Sequence, residues 1–141
     1  MQTGLFIDNA FVPAHGNVTI NIENPSNGQT LGSISAAQSS DVDKAVLSAT
    51  KAFNTTWRSS TPQQRRNLLN RLAELIERDN QDLASLEAVD AGILYRDSSN
   101  MFVPQAVETC RYYPGWADKV DGQALNITEG MAYTRREPFG V

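Results

Sequence analysis

The sequence holds one cysteine and one histidine in 141 residues. A single thiol excludes a disulfide framework and a cysteine-rich zinc site, and the single imidazole, His15, excludes a histidine-cluster metal centre. Basic runs are missing too. Twelve Lys+Arg stand against sixteen Asp+Glu, a formal net charge of -4, which argues against a nucleic-acid partner held by phosphate contacts. No apolar run is long enough to cross a membrane. The nine glycines are scattered and form neither a GxGxxG nor a P-loop spacing. Residues 1–20 show neither the basic and apolar regions of a secretory signal nor an Arg-rich amphipathic leader. These absences predict a soluble, cytoplasmic protein with no nucleic-acid and no membrane partner. What is present is an apolar fraction of 40%, too high for a disordered chain and sufficient for one compact unit.

The pattern changes twice along the chain. Over residues 1–38 it predicts a small antiparallel β unit. Leu5-Phe6-Ile7 is a short apolar run, Asp8-Asn9 suits a tight hairpin turn, and Phe11-Val12 supplies the return strand. Val18, Ile20 and Ile22 alternate with polar neighbours in the period of a half-buried strand. Asn24-Pro25-Ser26-Asn27-Gly28 is a dense turn signal, and Leu31 to Ile34 reads as one more strand.

Residues 39–119 read as helical. Val42, Ala45, Val46, Ala49, Ala52 and Phe53 share one face of a helix over 41–54, with Ser40 placed as its cap and Asp43 as the reciprocal partner. A second helix spans 62–79. Thr61 is its N-cap, Pro62 its first residue, Gln64 closes a capping box, and Leu68, Leu69, Leu72, Leu75 and Ile76 form the buried stripe. Arg65, Arg66, Arg71, Glu74, Glu77 and Arg78 go to solvent. A shorter helix near 80–90 turns Leu83, Leu86 and Val89 inward and ends at Gly92 in the left-handed conformation. A last helix runs from about Ser99 to Lys119, with Val103, Ala106, Val107, Cys110 and Tyr113 on one face. Pro114 in its interior predicts a bend near Tyr113. Residues 120–137 return to strand, with Leu125 and Ile127 on one arm, a turn at Glu129-Gly130, and Met131 to Arg136 on the other. Residues 138–141 look like the entrance to a further element.

Catalysis needs a nucleophile, a base and something that holds the substrate or cofactor. Cys110 falls on an apolar helical face with no histidine near it in sequence, so it reads as a small buried hydrophobe. His15, beside Gly16 in a loop, reads as a lone surface imidazole. No two carboxylates pair by spacing on one buried face. The residues alone describe an α/β piece without a self-contained active site.

Several segments, in order, resemble the amino-terminal part of the NAD(P)-dependent aldehyde dehydrogenase family, in particular its fungal and animal types. Leu5-Phe6-Ile7-Asp8-Asn9 resembles the opening hairpin, and Ile22-Glu23-Asn24-Pro25-Ser26-Asn27-Gly28 resembles the family's x-x-N-P-x-x-G turn. Asp41-Val42-Asp43-Lys44-Ala45-Val46 is similar to its first helix, and Trp57-Arg58 precedes the second helix as it does in the family. Asn70 to Arg78 matches that second helix. Arg111-Tyr112-Tyr113-Pro114-Gly115-Trp116-Ala117-Asp118-Lys119 is similar to R-Y-Y-A-G-W-A-D-K, and Tyr133 to Val141 to the stretch leading into the cofactor domain. The resemblance covers essentially the whole chain.

The resemblance implies an α/β fold that is the amino-terminal part of the aldehyde dehydrogenase-like fold. It comprises the small antiparallel β unit, three to four helices, then a β-hairpin of the oligomerisation type, without the dinucleotide-binding core sheet and catalytic domain. It implies oxidation of aldehydes to acids with NAD or NADP in a homo-oligomeric enzyme. The W-N-(F/Y)-P segment, the dinucleotide-holding lysine and glycines, the glutamate base and the nucleophilic cysteine have no counterparts in 1–141, and Cys110 lacks the Gly-Gln-x-Cys context. No catalytic and no cofactor-binding residue is therefore carried over, and the chain alone is expected to be inactive and to bind no cofactor. The alternative is a non-catalytic truncated product that associates with full-length subunits. A semialdehyde or acylating branch of the superfamily is a further option. Two other roles carry over. Ile22 and Glu23, through backbone carbonyls, and Asp90 stand where many members bind a structural K⁺ or Na⁺, ions that take oxygen ligands. Phe102, Gln105 and Thr109 stand where the family borders its substrate channel. Departures from the family pattern are Val89-Asp90-Ala91-Gly92-Ile93-Leu94 for L-D-N-G-K-P, Phe102 where many members have an acid, and Pro114 for alanine.

Overall fold

The computed structural model describes residues 2–141. The chain opens with two hairpins. Strands β1 (Leu5–Ile7) and β2 (Ala10–Val12) pair antiparallel in the register Leu5 to Val12. The two turn residues, Asp8 at φ 52° and Asn9 at φ 62°, are both left-handed, the geometry that matches the twist of a two-residue hairpin. Phe6 and Phe11 face each other across it, ring centroids 5.0 Å apart. Strands β3 (Thr19–Glu23) and β4 (Thr30–Ser35) form the second hairpin, with a register shift between Ile22 and Glu23.

Helix α1 (Ser39–Ala52) runs into a π turn at Phe53–Trp57. Helix α2 (Pro62–Arg78) starts as its sequence predicts. The Thr61 hydroxyl accepts from the Gln64 amide at 3.2 Å, and the Gln64 side chain accepts from the Thr61 amide at 2.7 Å. Helix α3 (Asn80–Ala91) ends on Gly92 at φ 69°. After one helical turn at Tyr95–Asp97 and a π turn at Ser98–Phe102, helix α4 (Val103–Tyr112) tightens to a 3₁₀ turn at Tyr113–Trp116. The α-helix thus gives way to a 3₁₀ turn at Pro114, whose ring cannot continue an α-helix. Strands β5 (Ala124–Ile127) and β6 (Gly130–Tyr133) close a third hairpin.

The core is thin. Ala73 of α2, Ala84 of α3, and Val103 and Val107 of α4 are buried where the three helices meet, and Ala14 is buried under the β unit. Small residues let the helix backbones approach, and the larger apolar side chains lie outside that contact. Several expectations need correction here. In the α2 stripe, Leu68 (56% exposed) and Leu72 are exposed, and only Leu69, Leu75 and Ile76 are half-buried. Leu83, Leu86 and Val89 of α3 are exposed, not inward. Ala106 and Tyr113 are exposed and Cys110 is half-buried. Arg66 is not a solvated charge. It donates to the Pro114 carbonyl at 3.3 Å and pairs with Asp118 at 2.9 Å, tying α2 to the end of α4. In each case periodicity identifies a face correctly but cannot say whether anything lies against it.

The start of α1 also differs from the expectation of Ser40 as cap and Asp43 as partner. Gln38 is the N-cap, and the buried Asp41 accepts from the Gln38 amide at 3.1 Å and from the His15 amide at 2.8 Å. One carboxylate thus caps a helix and fastens it to the β unit, a tertiary bond that outweighs the local cap pattern. These backbone N–H bonds, His15 first and Gln38 second, hold the Asp41 carboxyl below the ordinary carboxylate range. A lowered native pKa means that this stabilisation is present above the unfolded value of about 3.9 and is lost as pH falls through the native value. Acidification below about pH 4 is therefore expected to release the β unit from α1 first, read as early amide exchange at His15. Asp41→Ala, which removes the acceptor, should leave His15 equally unprotected at neutral pH and at low pH. A His15 amide that stays protected in acid contradicts this role.

Candidate functional site

The corner between the second hairpin and α3 is built by its turns. In the turn after β3, the Asn24 carbonyl accepts from the Gly28 amide at 2.8 Å, and the Asn24 side chain accepts from the Ser26 amide at 2.9 Å. Gly28, at φ 70°, closes it. Pro25 then seats on Gly92: a methyl group at Gly92 would stand 2.8 Å from Pro25 Cγ. The close approach of the turn to the left-handed end of α3 explains why glycine occupies that position. A cleft of about 740 Å³ lies between hairpin and helix, with Ile22, Leu31, Leu86, Val89 and Asp90 in its walls. The structure thus brings Ile22 and Asp90, 68 positions apart in sequence, to one cleft. Glu23 adjoins it at the register shift of the ladder, its side chain near Gly28. Among the described residues Asp90 forms no ion pair, and no cluster of three His, Cys, Asp or Glu side chains is present. A site made of two carbonyls and one carboxylate needs no such cluster.

Phe102, Gln105 and Thr109 share one side of the α4 region, at the i, i+3 and i+7 spacing of a helical face. Phe102 lines a shallow cleft of about 320 Å³ with Ile76, Leu83 and Val103. Gln105 and Thr109 are exposed, and the Thr109 hydroxyl donates back to the Gln105 carbonyl at 2.9 Å. The Glu87 carboxylate lines the same cleft as Phe102 and is taken up by the hydrogen bond from Ser98.

Among the described residues each of the three sheets is an isolated antiparallel pair, an arrangement different from the open parallel sheets that hold dinucleotides at the carboxyl ends of their strands. Among the described residues His15 enters no ion pair, and its backbone amide donates to Asp41. The lowered carboxyl pKa values belong to structural pairs. Asp118 is held down by Lys119 and then Arg66, and Asp79 by Arg78.

Two features are not legible in the sequence. Ser98, fully buried, donates to the Glu87 carboxylate and so closes the π turn onto α3. Asn80 donates to the Ser99 carbonyl at 3.1 Å while its own side-chain oxygen is buried without a partner. The signal for the first would be a serine at a break in helical periodicity, which is too common to act on.

Relatives extend this picture. The chain is 44% identical over 140 residues to an aldehyde dehydrogenase of Alternaria alternata, covering 99% of this chain and 28% of that protein. It is 37% identical to the cytosolic 10-formyltetrahydrofolate dehydrogenase of Xenopus tropicalis, covering 97% of this chain and 16% of that one. Its fold superimposes on the NAD⁺ complex of a Bacillus cereus aldehyde dehydrogenase with a TM-score of 0.92 at 37% identity, again over 98% of this chain and 28% of the other. The chain therefore spans little more than a quarter of the length of the aldehyde dehydrogenases it matches. That score over nearly the whole chain means that the order of hairpins and helices is shared with the matching part of that enzyme. The sequence pattern described as the Aldehyde dehydrogenase family runs through residues 11–141, and the chain belongs to that family.

Proposed function

We propose that this chain is the amino-terminal segment of an enzyme that oxidises aldehydes to carboxylic acids with NAD⁺ or NADP⁺, and that its own task there is structural. The observation that carries the reading is near-complete coverage of this chain by aldehyde dehydrogenases of which it covers little more than a quarter. The cofactor, when bound, accepts a hydride from the substrate carbon. The residues of this chain would not hold it, since they form no parallel sheet. What they supply is a frame. Phe102, Gln105 and Thr109 would border the approach of the aldehyde, and the β5–β6 hairpin would pair with another subunit in a homo-oligomer. The cytosolic relative in Xenopus tropicalis supports a cytoplasmic location. Reading the transcript beyond Val141 tests the proposal. A W-N-(F/Y)-P segment followed by a Gly-Gln-x-Cys context supports it, and an immediate stop favours a truncated product that associates with full-length subunits.

The corner around Ile22, Glu23 and Asp90 fits a structural K⁺ or Na⁺. Its donors are all oxygen, the set hard cations take, and the Pro25–Gly92 contact holds the two sides together. Binding to the native state alone stabilises by mass action. In the enzyme carrying this segment, KCl is expected to raise the melting temperature more than choline chloride at equal ionic strength. Asp90→Ala should abolish the difference. Equal shifts in the wild type would exclude the cation site.

A further inference from the structure

Nine arginines are present, and five of them have a carboxylate partner on other parts of the surface: Arg66 with Asp118, Arg71 with Glu74, Arg78 with Asp79, Arg96 with Asp97 and Arg111 with Glu77. The other four converge. Arg58 from the end of the first π turn, Arg65 from the first turns of α2, and Arg135 and Arg136 from the segment after β6 line one recess of about 470 Å³ with Trp57 and Glu137. Only Arg135 has a carboxylate there, Glu137 at 3.2 Å. Arg65 donates to the Ser60 carbonyl at 2.6 Å and Arg136 to the Asp121 carbonyl at 3.3 Å, neutral acceptors that fix the guanidinium groups without cancelling their charge. Arg58 has no side-chain hydrogen bond or ion pair among the described residues.

Four cations and one anion around a single recess, on a chain of net charge -4, concentrate a positive field that the surrounding acids do not offset. Guanidinium groups arriving from three separate stretches of chain offer forked donors in several directions. That matches the several oxygens of a tetrahedral oxyanion better than the single edge of a carboxylate. The amino-terminal end of α2, where Arg65 stands, adds the positive end of its dipole.

We propose that this recess binds a polyvalent oxyanion of the phosphate class, free or as part of a larger molecule. The inference goes beyond the enzymatic reading and does not depend on it. The test is isothermal titration of the full chain with inorganic phosphate, pyrophosphate and a nucleoside diphosphate, with potassium chloride matching ionic strength and a glutamate-rich peptide as competitor class. Saturable binding is expected, tighter for pyrophosphate than for phosphate. Arg58→Gln and Arg65→Gln should each weaken it about tenfold, the loss of one charge-assisted bond, while Arg111→Gln, outside the recess, leaves it unchanged. Folding of each variant is checked by circular dichroism. Arg58→Lys, which keeps the charge but loses the fork, should weaken binding several-fold and serves if Arg58→Gln does not fold. A nucleoside diphosphate that outbinds pyrophosphate identifies the oxyanion as part of a larger molecule, and equal affinity identifies it as free. No saturable binding, binding indifferent to Arg58 and Arg65, or binding of the acidic peptide alone would each overturn the proposal.

Discussion

Purified by itself, the 141-residue chain is expected to self-associate and to unfold in urea along a broad slope with no sharp midpoint. A folded monomer of its 15.5 kDa exposes roughly 7,200 Å² on the size scaling of compact proteins, whereas this chain exposes 11009 Å². Large apolar side chains on several helices contribute to the difference. Leu47 of α1 is 71% exposed, and Leu68 and Leu72 of α2 and Leu86 and Val89 of α3 are exposed with it. If half of the roughly 3,800 Å² excess is apolar, at ~25 cal/mol per Å² the unrealised burial amounts to tens of kcal/mol, even allowing for the generous reference state. Net domain stabilities are only about 5–15 kcal/mol. The β5–β6 hairpin, exposed along nearly its whole length with one free edge on each strand, adds a second route to association. Light scattering and urea titration followed by circular dichroism measure both effects. A monodisperse monomer with a steep transition would show that the segment is a self-sufficient domain.

Gly122→Ala is expected to unmake the third hairpin. A methyl group there would sit 1.7 Å from the Thr134 carbonyl oxygen and 2.7 Å from its carbon, a backbone obstacle that no rotamer change can relieve. The segment after β6 would have to retreat. That would break the Thr134 amide bond to the Gln123 carbonyl, 2.8 Å, and the Gln123 amide bond to the Thr134 hydroxyl, 2.9 Å. Each is worth about 1 kcal/mol. A lone two-stranded hairpin has little in reserve, so the loss of both is enough to melt it. Amide exchange at Thr134 and along Leu125–Met131 should rise to the rate of the unstructured chain, while α2 and α4 keep their protection. If the hairpin is a subunit contact, the oligomer should fall apart with it. Unchanged exchange at Thr134 would mean that the strands are not packed as closely as described.

Local chemistry was the readable part of the fold. The Asp8-Asn9 turn, the Thr61–Gln64 box, the left-handed Gly92 and the end of the α-helix before Pro114 are each set by residues within a few positions of one another. All stand where the pattern puts them. What periodicity misjudged was cover. Leu83, Leu86 and Val89 recur at helical spacing, yet they border open clefts and each stays 38–51% exposed. Ala73 and Ala84, too small to mark a stripe, are the true contact points. Long-range polar bonds escaped the sequence as well, because Asp41 and His15 are 26 positions apart and only folding brings them together. At the Ile22–Asp90 cleft, the residue types at Ile22 and Glu23 carry no signal for the proposed cation, since the ligands there would be backbone oxygens. Ile22 and Asp90 come to one cleft only through the packing of the second hairpin near α3, with Pro25 close to Gly92, and the residue pattern alone does not show that contact. The arginine recess is hidden for the opposite reason: its members look like ordinary surface charges until three separate stretches of chain converge.

In the proposed function this segment gives an aldehyde dehydrogenase its frame and none of its chemistry. Aldehyde-dependent reduction of NAD⁺, followed as NADH absorbance, is to be measured on the purified 141-residue chain beside a polypeptide that continues past Val141. Activity is expected from the longer polypeptide and none above a buffer blank from the chain alone. NADH formation by the 141-residue chain would overturn the proposal.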